Sequence, residues 1–302
     1  MNIIDLKNIT KKYESNVGCF NINIKINKGI VYGFIGPNGA GKTTLIRQMV
    51  GFIKSDEGNG TILGYDIWKN SKEIMAKIGY LSGEVILPEY MSGINYLKTI
   101  ADIRNNVDWN YTKKLIEYFD FNPKTKIKKM SKGMKQKIAI ISAFMHKPEI
   151  LILDEPTSGL DPLMQKKFDK LVDNFKKENK TIFMSSHIFG EIENNCDKVG
   201  IIKNGRIVSE IEINDIKNNS EKNYEIKFSK NDDYNNFISS KNWNIINKNN
   251  KTKILTVFIS NTEVDSFLKE ISVYKIDYFK ELPFDLEKYF IKYYEKEIEF
   301  ND

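Results

Sequence analysis

The residues best suited to chemistry form one glycine-rich stretch: Gly36, Pro37, Asn38, Gly39, Ala40, Gly41, Lys42, Thr43 and Thr44. This stretch fits the pattern G-x-x-x-x-G-K-[ST], in which backbone amides surround the phosphates of a nucleotide. An apolar run, residues 29–35, precedes it, and a segment with helical spacing, residues 44–50, follows it. A phosphate site needs this order of strand, loop and helix, because a helix N-terminus attracts anions. We expect Lys42 to reach the β- and γ-phosphates and the Thr43 hydroxyl to bind Mg²⁺.

Two further groups of candidate residues follow apolar runs. Residues 150–153 are apolar and precede Asp154 and Glu155, which predicts a strand buried on both faces that ends in two carboxylates. Residues 181–186 predict a second buried strand that ends at His187. Ligands of open α/β sheets bind at the carboxyl ends of the strands, so we expect these side chains to lie at the ligand. The other histidine, His146, ends a predicted helix and is expected to be a capping or surface residue.

The N-terminal part of the chain predicts an antiparallel subdomain. Residues 3–9 and 19–26 have strand character, and in the second run Phe20, Ile22, Ile24 and Ile26 alternate with polar residues. Tyr13 lies between the two runs. It could stack on a nucleotide base, or it could simply pack at the end of a strand.

From residue 88 to about 135 the pattern turns helical, which predicts a helical insertion within an α/β core. Ser131 is well placed as the N-cap of the next helix, and Gly133 indicates a close backbone approach. Asp161 lies in a turn that enters another helix. Asn204 and Gly205 predict a hairpin.

Beyond residue 215 the composition changes. Residues 216–223 form a predicted polar linker, and residues 224–302 predict strands and helices in the order β-α-β-β-α-β, which is typical of a small ferredoxin-like α+β domain. A terminal helix would follow, with Leu286, Tyr289, Phe290 and Tyr293 on one side. The expected organisation is therefore one α/β domain, residues 1–215, and one accessory domain.

The composition limits the alternatives. The chain has 302 residues, of which 41% are hydrophobic and 28% charged, as is usual for a globular protein. No apolar run approaches the roughly 20 residues of a membrane span, and the N-terminus does not have the pattern of a signal peptide. The two cysteines fit no metal motif, so reduced thiols are expected. The net charge of +6 is spread among acidic residues, so we do not expect nucleic-acid binding.

Together these motifs resemble the ATP-binding subunit of an ABC transporter, over about residues 1–215. Residues 36–44 are similar to the Walker A loop, and residues 150–155 to the Walker B strand. Residues 158–161, which include Asp161, are similar to the D-loop. His187 is similar to the switch histidine, and Tyr13 is similar to the aromatic residue that stacks on adenine. The signature motif, usually L-S-G-G-Q, corresponds here to Met130, Ser131, Lys132, Gly133 and Met134. The fold implied is a P-loop NTPase core with an antiparallel β subdomain and a helical insertion.

The sequence departs from the family at two places. Lys132 and Met134 replace a glycine and a glutamine of the signature motif. The glutamine expected after the strand at residues 80–81 is absent, and Gly83 stands in its place. Glu84 could serve the metal site instead. It could also be a solvent-facing acid, or it could pair with a lysine of a membrane permease that binds the ATPase. This loop and the segment 283–290 resemble those of bacterial drug- and peptide-exporting ATPases.

The resemblance implies a homodimer or heterodimer in which two ATP molecules lie between the subunits. Each nucleotide would contact the signature residues of the opposite subunit, Ser131, Lys132, Gly133 and Met134. Thr43 and Asp154 would hold Mg²⁺, Glu155 would polarise the attacking water, and Lys42 and His187 would stabilise the γ-phosphoryl group. The partner would be a membrane permease, which would recruit the ATPase to the cytoplasmic face of the membrane.

Two alternatives to an exporter ATPase stay open. The chain could be an ABC-type ATPase that works without a membrane, although such proteins usually carry long coiled coils or a second nucleotide domain. It could also be a regulatory module with low turnover that senses a ligand through its C-terminal domain. The absent glutamine and the altered signature motif favour the regulatory alternative, whereas Lys42, Asp154, Glu155 and His187 favour hydrolysis.

Overall fold

The computed structural model describes residues 2–14, 17–105, 107–215, 222–240, 242–260, 262–282 and 286–287. The chain divides into two compact units, Met1–Ile213 and Asn214–Asp302.

A six-stranded sheet forms the centre of the first unit, in the order β10-β9-β3-β8-β7-β6. Its strands are β3 (Val31–Ile35), β6 (Ile78–Leu81), β7 (Ile150–Asp154), β8 (Thr181–Ser186), β9 (Lys198–Lys203) and β10 (Arg206–Glu212). All neighbouring pairs are parallel except β9 and β10. Every residue of β3, β7 and β8 is buried, as the continuous apolar runs predict. The predicted hairpin at Asn204 and Gly205 joins β9 to β10, and both residues have positive φ, 48° and 73°.

A four-stranded antiparallel sheet confirms the predicted subdomain. It has the order β2-β1-β4-β5, formed by β1 (Asn2–Glu14), β2 (Val17–Asn27), β4 (Glu57–Ile62) and β5 (Tyr65–Asp66). Ile22, Ile24 and Ile26 are buried, as their alternation predicts. The expected alternation fails at Phe20, which is only half-buried, because Asn21 adopts a left-handed φ of 53° and shifts the buried face to Cys19.

Seven α-helices of the first unit lie within the described residues: α1 (Lys42–Met49), α2 (Ser71–Lys77), α3 (Gly93–Arg104), α4 (Trp109–Phe119), α5 (Lys132–Phe144), α6 (Pro162–Lys177) and α7 (Phe189–Asn195). α3 and α4 lie in the predicted helical insertion. The expectation for His146 is wrong. Its half-buried ring places Nε2 3.1 Å from the Ile78 carbonyl oxygen. Burial, together with nearby Arg104, lowers the pKa of His146 to about 4.

The second unit has the predicted α+β order: β11 (Lys222–Phe228), α8 (Asn231–Ser240), β12 (Asn244–Asn249), β13 (Ile254–Ile259), α9 (Val264–Ile271) and β14 (Ile276–Glu281). The strands form an antiparallel sheet in the order β12-β13-β11-β14. Phe228, Phe237 and Phe267 are fully buried in its core. The predicted terminal helix and most of the predicted linker lie outside the described residues.

Candidate functional site

The candidate site residues follow the carboxyl ends of neighbouring parallel strands. β3 lies beside β8, β8 beside β7, and β7 beside β6. Ile35 pairs with Ser186, and Asp154 with Ser185, so these strands end at the same level. The glycine-rich loop, the two carboxylates, His187 and the Gly83 loop therefore emerge along one edge of the sheet. This is the edge at which open α/β sheets bind ligands.

The glycine-rich loop leads directly into α1, whose first residue is Lys42. Gly41 has a φ of 104°, and a Cβ there would lie 2.6 Å from the carbonyl oxygen of Gly18. The loop therefore needs glycine at this position for both its conformation and its packing. The first amides of α1 have no acceptor within the helix, and its first turn contains no acidic side chain. Both features suit an anion at this helix end.

Lys42 lies over the loop and reaches the second carboxylate. Its Nζ donates to the carbonyl oxygens of Gly36, at 2.8 Å, and Pro37, at 3.1 Å. It also lies 3.7 Å from Glu155 Oε1. Burial lowers the pKa of Lys42, and the charges of Glu155 and Asp154 partly oppose this shift. A bound triphosphate could therefore replace these groups as the partners of Lys42.

The turn of the β9–β10 hairpin supports the glycine-rich loop. The Gly205 amide donates to the Ala40 carbonyl oxygen at 3.0 Å. A Cβ on Gly36 would lie 2.3 Å from the Ile202 carbonyl oxygen, so β9 also packs closely on the start of the loop. Sequence reasoning identified this hairpin but not its contact with the loop, because the contact joins segments far apart in the chain.

Asp154 is fully buried and fixed by two hydroxyl groups. Thr43 Oγ1 donates to Asp154 Oδ2 at 2.7 Å, and Ser185 Oγ donates to Asp154 Oδ1. Across the described residues, no three histidine, cysteine, aspartate or glutamate side chains are placed to hold a metal ion. The donors present, one hydroxyl and one carboxylate, nevertheless fit Mg²⁺, which is usually bound by few protein ligands together with substrate phosphates.

Glu155 adopts a left-handed backbone conformation, with a φ of 47°. Such conformations are rare for residues other than glycine and persist where the surroundings enforce them. Here the Glu155 amide donates to Ser185, to both the carbonyl oxygen and Oγ, at 3.2 Å each. The resulting orientation places Glu155 Oε1 3.2 Å from His187 Nδ1. Sequence reasoning missed Ser185, although a serine pair directly before His187 at the end of an apolar strand was an available signal.

Tyr13 lies near the tip of the β1–β2 pair and is 50% exposed. The preceding residue, Lys12, pairs with Gly18, whose carbonyl oxygen lies against Gly41. Tyr13 therefore directly follows a residue whose strand partner, Gly18, contacts the glycine-rich loop. An exposed aromatic ring at this place can stack on a base.

The residues predicted to form the signature motif contact residues 158–161, the segment similar to the D-loop. Ser131 caps α5, accepting a hydrogen bond from the Met134 amide at 3.2 Å. Lys132 Nζ donates to Ser158 Oγ at 3.2 Å. A Cβ on Gly133 would lie 2.9 Å from the Gly159 carbonyl oxygen. Asp161 caps α6 and accepts from the Met164 amide at 3.0 Å.

Gly83 lies against the buried carboxylate of Asp154. A Cβ at this position would lie 3.0 Å from Asp154 Oδ2. The loop backbone therefore comes so close to Asp154 that it leaves little space for the side chain of the glutamine that is usual in the family. The side chain of Glu84 is exposed. With Asp154 and Glu155 it does not complete a three-residue metal cluster. Of the helices in the described ranges, none is both long and apolar enough to cross a membrane.

Comparison with known proteins identifies the relatives of this chain. A model of the family described as ABC transporter matches residues 19–158. Over 233 residues the chain is 40% identical to the bacitracin transport ATP-binding protein BcrA of Bacillus licheniformis, and the alignment covers 75% of each protein. It is 34% identical over 230 residues to the lantibiotic transport ATP-binding protein SrtF of Streptococcus pyogenes, which covers 76% of this chain and 99% of that protein.

Solved structures share the fold. An ATP-binding subunit of an ABC transporter, 26% identical in sequence, aligns with a TM-score of 0.65 over 72% of this chain and 92% of that one. A dimeric ATP-binding cassette, MJ0796, bound to ADP and Pi, aligns with a TM-score of 0.63 at 20% identity, over 70% of this chain and 98% of that one.

Proposed function

Because this chain belongs to the family of ABC transporter ATP-binding proteins, we propose that it hydrolyses ATP to drive a membrane exporter of peptides, drugs or other amphipathic molecules. The observation that carries the proposal is the convergence of Lys42, Glu155 and His187 at one edge of the sheet. Glu155 Oε1 lies 3.7 Å from Lys42 Nζ and 3.2 Å from His187 Nδ1. A cation, a carboxylate and an imidazole are thus grouped beside a phosphate-binding loop.

ATP binding would begin with the triphosphate at the N-terminus of α1. The loop amides and Lys42 would hold the phosphates, and the exposed ring of Tyr13 would stack on adenine. Lys42 would exchange the carbonyl oxygens of Gly36 and Pro37 for phosphate oxygens. Thr43 and Asp154 would hold Mg²⁺, which would neutralise charge between the β- and γ-phosphates.

In hydrolysis, Glu155 would orient and polarise the attacking water. The contact of its amide with Ser185 fixes the backbone from which the carboxylate extends, so little reorganisation is needed when the water binds. Lys42 and His187 would stabilise the charge that develops on the γ-phosphoryl group. The three side chains, which come from α1 and from the ends of β7 and β8, then act on one transferring group.

The second half of each site would come from another subunit, either a copy of this chain or a related ATPase. The Ser131 side chain is exposed at the N-terminus of α5, and its hydroxyl is free to donate while its oxygen caps the helix. Together with the amide of Gly133, it can bind the γ-phosphate only when a second subunit closes over the nucleotide. ATP would therefore favour the closed dimer, and loss of the γ-phosphate would release it.

Transport requires a membrane-spanning permease subunit, which would recruit this ATPase to the cytoplasmic face of the membrane. The named relatives act in bacitracin and lantibiotic transport. Both names refer to peptide antibiotics, and this supports a peptide as the exported molecule. The permease would select the cargo.

The test uses the host strain from which the chain derives. Deleting its gene should increase sensitivity to peptide antibiotics, and the intact protein should restore resistance. The Glu155→Gln variant should not restore it, whereas Glu117→Gln, a matched change at an exposed position, should. A tagged chain purified from detergent-extracted membranes should retain an integral membrane protein. Full resistance with Glu155→Gln, or a chain found only in the soluble fraction without a membrane partner, would contradict the proposal.

A further inference from the structure

A buried carboxyl group lies directly behind the turn that carries His187. Glu191 is in the first turn of α7, and its Oε2 accepts a hydrogen bond from Ser186 Oγ at 2.5 Å. The same Ser186 hydroxyl oxygen accepts from the Ile188 amide at 2.9 Å. The two residues on either side of His187 are therefore tied together through one hydroxyl group. Glu191 fixes the orientation of that hydroxyl.

The Glu191 carboxyl also approaches the segment that follows Glu155. Oε1 is buried and has no hydrogen-bond partner among the described residues. The buried Thr157 side chain is close enough to stabilise the ionised carboxyl. The Thr157 carbonyl oxygen accepts from the Leu160 amide at 3.0 Å, within the turn that leads to Asp161. Glu191 thus lies between the two loops that present His187 and Glu155.

The charged groups around Glu191 come from three elements. Asp169 on α6 opposes its ionisation, and His187 at the end of β8 favours it. On α7 itself, Asn195 links the two acids, since Nδ2 donates to Asp169 Oδ1 at 2.7 Å and to the Glu191 carbonyl oxygen at 2.9 Å. Glu191 in turn raises the pKa of the Cys196 thiol, which is raised mainly by burial. Lys176 on α6 opposes the rise in the pKa of Cys196.

We propose that Glu191 is a positioning residue of the ATPase, which holds the His187 turn through Ser186 and keeps His187 beside Glu155. This inference rests on the proposed function. It assigns a role in the reaction to a side chain that does not touch the nucleotide. Its consequence is that turnover depends on the state of a carboxyl group behind the site.

That state changes near neutral pH. The pKa of Glu191 is raised to about 7, mainly by burial; Asp169 adds to this rise, whereas the hydrogen bonds of Ser186 and Thr157 and the nearby His187 oppose it. Below this pH the carboxyl is neutral and remains at its buried place. Above it the carboxyl is ionised, and the hydrogen bonds from Ser186 and Thr157, which favour the ionised form, become stronger. The ionised carboxylate therefore holds Ser186 more firmly than the neutral acid does.

The experiment compares steady-state ATP hydrolysis by the purified full chain and three variants. Glu191→Ala removes the contact with Ser186, and we expect kcat to fall about tenfold while KM for ATP stays within about twofold. Glu191→Gln keeps a neutral acceptor of the same shape and should retain most of the wild-type kcat near pH 6. Glu117→Gln, the same change at an exposed position away from this cluster, is the matched control and should follow the wild type at every pH.

The decisive quantity is the ratio of kcat for Glu191→Gln to that of the wild type. We expect it to fall from about 1 near pH 6 to about one third near pH 8, because only the wild-type side chain can ionise and then hold Ser186 more firmly. The ratio cancels the titration of every group that both proteins share. A ratio that is constant or rises with pH would overturn the proposal, as would wild-type kcat in Glu191→Ala.

Two further measurements keep the outcome unambiguous. Ser186→Ala should lower kcat as Glu191→Ala does, and the double variant should be no worse than either single variant. Additive losses would overturn the route through Ser186. If Glu191→Ala does not fold, the pH ratio of Glu191→Gln still decides. Absence of ATP hydrolysis in the wild type would instead refute the proposed function.

Discussion

His187 Nδ1 lies 3.2 Å from Glu155 Oε1, although the two residues directly follow different strands of the central sheet. The contact exists because β7 and β8 are adjacent and in register, with Asp154 opposite Ser185. It brings an imidazole to the carboxylate that we assign to the attacking water. The geometry of this pair therefore depends on whatever holds the ends of the two strands together.

Ser185 is the residue that holds them, and we expect Ser185→Ala to impair hydrolysis. Its hydroxyl donates to Asp154 Oδ1 and accepts from the Glu155 amide. Loss of a hydrogen bond to a charged group costs about 1.5–3 kcal/mol, so kcat should fall about tenfold or more. The Mg²⁺ concentration needed for half-maximal activity should rise as well. Unchanged kcat and Mg²⁺ dependence would show that Ser185 does not position these carboxylates.

The exposed signature serine should act on the nucleotide of the opposite subunit. Neither Lys42→Ala nor Ser131→Arg should hydrolyse ATP alone, because each removes one half of every site in its homodimer. A mixed dimer keeps one intact composite site, so mixing the two variants should restore part of the activity. The measurement is phosphate release after mixing, with heterodimers verified by two different affinity tags. If verified heterodimers show no activity, this would count against composite ATP sites that can each work alone at the dimer interface.

The Gly83 loop should not tolerate the glutamine that is usual in the family. A Cβ at Gly83 would lie 3.0 Å from Asp154 Oδ2, and a longer side chain would displace the loop or the carboxylate. We expect Gly83→Gln to lower kcat severalfold, with Gly83→Ala intermediate. Higher turnover in Gly83→Gln would contradict this account of the loop.

Glu84 is tested separately in the isolated ATPase. Its side chain is exposed and does not complete a metal cluster with the described carboxylates. We therefore expect Glu84→Ala to keep the wild-type Mg²⁺ dependence and to fail only in transport by the assembled complex. A shifted Mg²⁺ titration of the isolated chain would support the metal-site role that the sequence left open.

The pH dependence of stability provides a check on the ionisation of Glu191. Its pKa is about 7 in the folded protein, against 4.5 in the unfolded chain. The folded state therefore keeps the proton longer, and the stability contributed by this group is lost as pH rises from 4.5 towards 7. Glu191→Gln does not titrate, so its free energy of unfolding relative to the wild type should increase over this range by up to about 3 kcal/mol. Urea unfolding at several pH values measures the difference, and parallel curves would contradict the raised pKa.

The sequence predicted those features that depend on short-range patterns. The glycine-rich loop, the buried strands before Asp154 and His187, and the Asn204–Gly205 hairpin each follow from composition and spacing within a few residues. The contacts of Ser185, Glu191 and Gly205 could not be predicted in this way. They depend on which strands become neighbours, and β3 pairs with β8, which lies about 150 residues later. The burial of His146 against Ile78 was missed for the same reason.

The central claim is that Glu155 drives ATP hydrolysis in a site completed by a second subunit. It is tested most directly by phosphate release from Glu155→Gln, because an amide of the same shape cannot polarise water as a carboxylate does. We predict a loss in kcat of about 10²-fold or more with nucleotide binding retained, and an ATP-bound dimer that accumulates in gel filtration with Mg²⁺. Hydrolysis at the wild-type rate would remove Glu155 from this role and contradict the account.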